Sequence, residues 1–310
     1  MSSAPLPDWR EVLIVEASLR TGLLAAFRDP ATPAEVAERH DLDPRATRIT
    51  ALALADLGYL APAGAEELAW ADRTVTLLDE WGQERDGAAR VHLFARQIAL
   101  YQRLGDALLG APPEPPWGDT TALAEFTAAM REVALERVDA FVASLPRPRD
   151  GARMLDIGGG PGIDAAAFAS AGWAVTVLDL PEVLAGEGAR LAEAGIAVVA
   201  GDATREVPPG PWDTVLIANV LHLLGREAAR ALVARAAATL APGGRLAVLG
   251  VLRDLTPNGR LFAVGMLLAT AEGDCHDSEE IVGWMTEAGL HEIVPAELGD
   301  GRVVLVGRAS

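Results

Sequence analysis

Met154-Leu-Asp-Ile-Gly-Gly-Gly-Pro-Gly162 decides how the rest of the chain is read. It is a short apolar run that passes directly into a glycine-rich loop. In open α/β sheets, ligands bind beyond the carboxyl ends of the strands, and backbone approaches a ligand closely only where side chains are missing. The stretch therefore points to a buried strand, a loop at its end and a nucleotide-type ligand. The dinucleotide fingerprint G-x-G-x-x-G does not fit, because counting from Gly158 and Gly160 puts its third glycine on Ile163. A phosphate loop ending in Gly-Lys-Ser or Gly-Lys-Thr is absent as well. What fits is Asp156-x-Gly158-x-Gly160-x-Gly162.

Downstream, apolar strands alternate with helical segments: Met154–Ile157, Ala174–Leu178, Ala197–Ala200, Thr214–Ala218 and Leu246–Leu249. This rhythm predicts five parallel strands with both faces covered by helices, a doubly wound α/β domain. Ile293–Leu298 and Val303–Gly307, joined by Gly299-Asp300-Gly301, read as an antiparallel C-terminal hairpin. The second strand ends in Asp179, about 20 residues beyond the glycine loop, where a carboxylate accepts both hydroxyls of a ribose. The third ends in Gly201-Asp202, a second carboxylate where an adenine amino group would lie.

Upstream, helices are expected at Arg10–Thr21, Pro33–His40 and Pro44–Leu57. Thr32 and Asp43 stand before prolines as N-caps. Tyr59-Leu60 and Leu68-Ala69-Trp70 form two short strands of a wing, completing a winged helix-turn-helix outline. The candidate recognition helix offers Arg45 and Arg48 against Asp41, Asp43 and Asp56, and the whole chain carries a net charge of -18. Phosphate backbones are bound by clustered cations, so nucleic acid is an unsuitable partner and dimerisation is the better reading of this region. Longer helices are expected over Ala88–Leu109 and Thr121–Leu145. The division is then residues 1–85, a winged-helix-like domain; 86–150, connecting helices and a pocket-lining segment; and 151–310, the α/β domain. With neither a basic, apolar leader nor a membrane-length apolar run to be read, the expectation is a cytoplasmic protein. A single cysteine, Cys275, excludes an internal disulfide, and His92 and His291 lack partners at ligand spacing, so no metal is expected.

Leu155-Asp-Ile-Gly-Gly-Gly-Pro-Gly162, Asp179-Leu-Pro181, Gly201-Asp202, Asn219-Val-Leu-His222, Leu240-Ala-Pro-Gly-Gly244 and Glu287-Ala-Gly289 occur in an order that is specific as a set. On these motifs the chain resembles the bacterial and plant small-molecule O-methyltransferases with an N-terminal dimerisation domain, the hydroxyindole, caffeate and polyketide type. The resemblance covers nearly the whole chain. It implies a Rossmann-like methyltransferase domain and S-adenosyl-L-methionine (SAM) as cofactor. Gly158 and Gly160 would lie beside its carboxypropyl part, Asp179 on the ribose, and Asp202 with Ala203 at the adenine, with Asp156, Leu180, Gly201 and Asn219 also in the cofactor site. It also implies a homodimer in which N-terminal helices of one subunit help close the pocket of the other.

His222 falls where the resembling enzymes carry a general base, and an imidazole suits that role near neutral pH. The carboxylates that support it in plant-type members are missing: Leu223, Gly250 and Cys275 occupy their positions. Cys275 with His276 is a candidate substitute. Phe126, Met130 and Met266 are candidates to line the acceptor pocket, and their spacing equally suits ordinary helix core. The expected reaction is metal-independent methyl transfer to a hydroxyl of an aromatic or polyketide-like secondary metabolite. Transfer to carbon, nitrogen or sulfur stays open, as does use of the cofactor in a decarboxylase, hydroxylase or pericyclase. A ligand-sensing winged-helix regulator is the remaining alternative.

Overall fold

The computed structural model describes residues 9–78, 87–115, 118–298 and 302–310. The chain divides into two compact units, residues 1–99 and 100–310.

The first unit holds α1 (Trp9–Arg20), α2 (Leu23–Ala26), α3 (Pro33–Arg39), α4 (Pro44–Asp56), β1 (Leu60–Pro62), β2 (Leu68–Trp70), α5 (Asp72–Leu78) and most of α6 (Gly87–Tyr101). Local chemistry sets its helix starts. The Thr32 hydroxyl accepts from the Glu35 amide at 3.2 Å while the Glu35 carboxylate accepts from the Thr32 amide at 2.8 Å, a reciprocal capping box. Asp43 caps Ala46 at 2.7 Å, and proline follows both caps. Val15, Leu24, Phe27, Val36, Ala51 and Leu54 bury the inner faces of the helices, and β1 pairs antiparallel with β2 from Leu60 opposite Trp70 to Pro62 opposite Leu68. The expected helices and wing are present; α2 is an addition that no periodicity signalled.

The second unit contains α7 (Leu104–Leu108), α8 (Thr120–Leu135), α9 (Val138–Ala143), β3 (Arg153–Ile157), α10 (Ile163–Ser170), β4 (Ala174–Asp179), α11 (Pro181–Glu193), β5 (Ala197–Ala200), β6 (Trp212–Ala218), α12 (Arg226–Ala238), β7 (Leu240–Gly250), α13 (Gly259–Ala269), α14 (Ser278–Glu287), β8 (Leu290–Glu297) and β9 (Val303–Ala309). Its seven-stranded sheet runs β5-β4-β3-β6-β7-β9-β8. The first five strands are parallel, and β9 joins β7 and β8 antiparallel. This is the α/β fold expected, with its C-terminal antiparallel pair. The connector 299–301 lies outside the described residues.

Alternation along the central strands feeds two cores. Leu155, Ile157, Val215, Ile217, Leu246 and Val248 pack on the side of α12 and α14. Met154, Leu216 and Ala247 pack with Phe141 of α9 and Phe168 of α10 on the other. Asp156 has the parity of Met154, so its carboxyl is carried to the α9 and α10 side.

Two expected helices are broken. The run 88–109 divides at Gln102 and Arg103, where Arg103 ion-pairs with Glu114. The run 121–145 divides at Glu136 and Arg137. Arg137 leaves helical geometry at φ -125° and forks onto Asp164 of α10 with contacts of 3.0 and 2.8 Å. Both side chains of this pair are nearly sealed from solvent, 2% and 10% exposed. Removing one partner of such a pair leaves a buried charge without compensation. Arg137→Met is therefore expected to lower unfolding stability by about 3–5 kcal/mol in denaturant titration, and adding Asp164→Leu to recover part of the loss.

Candidate active site

The sheet order sets the loops of interest side by side at one edge. From β5 inward stand Asp202 after β5, Asp179 closing β4, Gly158–Gly162 after β3 and Asn219 after β6. The chain proceeds from β3 through β4 and β5 in one direction, then returns to place β6 on the other side of β3. That reversal opens a crevice between β3 and β6 at the carboxyl ends. Pairing continues into the loops: Gly158 N donates to Leu178 O at 2.7 Å, Gly201 N to Asp179 O at 2.9 Å and Asn219 N to Leu249 O at 2.8 Å. Gly158 and Gly162 adopt φ of +70° and +69°. A Cβ at the first would overlap Val220 across the crevice, and one at the second would overlap Leu191 of α11. Only glycine satisfies both the backbone angle and the space.

The three aspartates differ in state. Asp156 is fully buried and neither carboxyl oxygen has a hydrogen-bond partner. Burial, then the charges of Asp164 and Asp179, push its pKa well above the usual carboxylate range, against the pull of Arg137. Asp179 accepts from Gly160 N and from Leu180 N, both at 2.7 Å. Burial raises it too, and these two amides oppose the rise. Each of its oxygens keeps a lone pair for a further donor. Asp202 turns onto its own loop, accepting from the Thr204 hydroxyl at 2.6 Å and amide at 2.9 Å, and is lowered chiefly by that hydroxyl. Leu180 is 40% exposed beside Asp179, and Ala203 packs against the core below the loops. Two desolvated carboxyls beside an open glycine loop favour a ligand that brings positive charge and hydroxyl donors.

His222 sits in a single 3₁₀ turn, Leu221–Leu223, directly after β6. Its ring meets the Phe262 ring edge-on, centroids 4.9 Å apart. Burial, with Arg302 and His276 nearby, lowers its pKa to about 3. Leu221, His222, Gly250 and His276 help to line a cavity of about 10 Å³, room for one water. A Cβ at Gly250 would meet open space. Cys275 does not substitute for a carboxylate: the thiol is buried, donates to Val251 O at 3.0 Å and is pushed up to about 12 by burial.

Phe126 and Met130 lie part-buried on α8 and Met266 part-buried on α13. The α13 residue in ring contact with His222 is Phe262. Sequence reasoning also missed Arg302, His276 as a buried group, and the Arg137–Asp164 fork. Arg302 immediately precedes Val303, which pairs with Gly250, and only the strand register reveals that proximity. Among the described residues, no group of three His, Cys, Asp or Glu could hold a metal ion, and no helix is long and apolar enough to cross a membrane.

No curated protein matches the sequence. Solved structures match across its length. An O-methyltransferase family protein from Burkholderia thailandensis superposes with a TM-score of 0.87 at 22% identity, over 98% of this chain and 96% of that one. Human N-acetylserotonin methyltransferase in complex with SAM gives 0.83 at 19% identity over 100% of both chains. The N,N-8-amino-8-demethyl-D-riboflavin dimethyltransferase from Streptomyces davawensis gives 0.82 at 24% identity, over 98% and 96%. At these identities the similarity is one of fold. The O-methyltransferase domain family matches residues 119–291, more than half of the chain, and the chain belongs to that family.

Proposed function

We propose that the protein transfers a methyl group from SAM to a hydroxyl of a small aromatic or polyketide-like acceptor, with His222 as proton acceptor. The observation that carries this reading is the row of loops at the sheet edge, with desolvated Asp156 and Asp179 beside Gly158–Gly162. Those residues fit the cofactor. The glycine loop admits its amino acid end against bare backbone. Asp156 gives an ammonium group a buried carboxyl that, among the described residues, has no hydrogen-bond partner. Asp179 keeps lone pairs that would take the ribose hydroxyls, and Gly201, Asp202, Ala203, Leu180 and Asn219 would complete the cofactor site. Bound there, SAM supplies a methyl group activated by a sulfonium.

On the acceptor side, Phe126, Met130 and Met266 offer apolar and polarizable surface for a planar molecule. His222 is neutral at physiological pH and so has a lone pair ready. Its low pKa makes it a reluctant holder of a proton, because the proton-transfer driving force follows the difference in basicity. This favours an acceptor whose hydroxyl is already acidic. The same observation supports a second reading, a nitrogen acceptor that needs little help from a base, in keeping with the name of the structurally similar N,N-8-amino-8-demethyl-D-riboflavin dimethyltransferase.

We also infer a homodimer through the N-terminal unit. Ile49 and Leu52 are exposed on α4 beside only two arginines, a surface better suited to protein than to nucleic acid.

Calorimetric titration with SAM and with S-adenosylhomocysteine tests the cofactor. Wild type is expected to bind both. Asp179→Ala loses hydrogen bonds to a charged group, typically about 1.5–3 kcal/mol, or roughly ten- to a hundredfold in affinity. Wild type that binds neither molecule overturns the reading.

The state of His222 has a separate signature. A free imidazole titrates at 6.5 and His222 in the fold at about 3, so on acidification the unfolded chain takes the proton first. The stability that comes from keeping His222 neutral is complete above pH 6.5 and drains as pH falls towards 3. In denaturant unfolding across that range, wild type should lose more stability than His222→Gln. A gap between the two that does not change with pH contradicts the assignment.

A further inference from the structure

We propose that His276 is a positioning residue that fixes the turn bearing His222, in place of the carboxylates that plant-type relatives use. The inference rests on the reading of His222 as proton acceptor. His276 is 3% exposed, and its Nε2 lies 3.1 Å from Leu221 O and 3.2 Å from Leu224 O. Both partners are carbonyl oxygens and can only accept, so Nε2 carries the hydrogen and the tautomer is set. The two carbonyls bracket a 3₁₀ turn of a single step, whose own bonds run from Leu223 N to Val220 O at 2.9 Å and from Leu224 N to Leu221 O at 3.1 Å. One imidazole N–H thus ties the residue before His222 to the second residue after it.

The segment around His276 is anchored on every side. Its ring meets Trp284 edge-on, centroids 5.0 Å apart. Its carbonyl accepts from Arg253 N at 3.2 Å, and the neighbouring Cys275 carbonyl accepts from Arg253 Nε at 2.6 Å. The Cys275 thiol reaches back to Val251 O. A Cβ at Gly273 would stand 2.6 Å from His222 O, so this glycine lets the segment press directly on the turn. The loops after β6 and β7 are therefore joined through residues 273–276, and His222 is held from that side by backbone and from α13 by Phe262. The charged and titratable groups that act on His222 are Arg302, just before β9, and His276 itself; among the described residues, no carboxylate lines the cavity that His222 shares with His276.

Histidine-selective ¹⁵N NMR of the full chain tests the proposal, with His276→Leu and His276→Gln as variants. The expected wild-type spectrum shows His276 as the Nε2–H tautomer and His222 neutral well below pH 6.5. Leucine removes the N–H, and the His222 titration should then move up towards 6.5. Glutamine keeps an N–H donor without an imidazole, and should hold His222 at its wild-type value. SAM affinity measured by calorimetry should stay within about twofold in both, which separates this result from failure of the cofactor reading. A wild-type Nδ1–H tautomer for His276 overturns the proposal. So does a His222 titration that ignores both variants. Equal movement in leucine and glutamine also overturns it, since that would mark an effect of the second imidazole's charge and not of its hydrogen bonds.

Discussion

Two buried carboxyls share one face of the central strand, and only one of them is satisfied. Arg137 forks Asp164, while Asp156, beneath the glycine loop, has no hydrogen-bond partner. Much else follows from that imbalance. The helical run before the sheet breaks at Arg137, whose guanidinium meets Asp164 in the first turn of α10. A desolvated carboxyl costs stability unless something compensates it. The fold retains Asp156 at the place where a ligand with a cationic group would enter.

The two ends of the crevice have opposite electrostatic character. Towards β4 and β5 the loops present Asp179 and Asp202; towards β6 and β7 the surroundings of His222 are imidazole, guanidinium and apolar groups, with open space at Gly250. In the proposed reaction the first end suits a cofactor with positive charge, and the second an acceptor that arrives acidic or needs no base. Leu223, Gly250 and Cys275, near His222 in sequence or space, supply no carboxylate to raise its depressed basicity. The histidine is positioned by backbone contacts and rings, without an ionic partner.

Legibility in the sequence followed the range of the forces involved. Caps at Thr32 and Asp43, the strand and glycine loop at 154–162 and the C-terminal antiparallel pair are written in neighbouring residues, and their elements formed close to the expected bounds. The breaks at Gln102–Arg103 and Arg137 were not legible, because helical periodicity runs through them, and the buried partner of Arg137, Asp164, lies 27 residues further along the chain. The strands and the residues at their ends were readable from the sequence, whereas the return of β6 to the far side of β3, which sets the order along the sheet, came from the strand pairing. His276 was visible only as a neighbour of Cys275; its partners are backbone carbonyls 55 and 52 residues away, which leave no trace in side-chain spacing.

The central claim is that one ligand lies across the carboxyl ends of β5, β4 and β3 and brings positive charge to Asp156. A crystal structure of the protein grown with SAM tests it most directly. The account predicts density along Gly158–Gly162, with the ammonium group within hydrogen-bond reach of Asp156 or of a water held by it, and the ribose at Asp179. Density at any other location, or a glycine loop that stays closed over Asp156 with the cofactor in saturating excess, would contradict it.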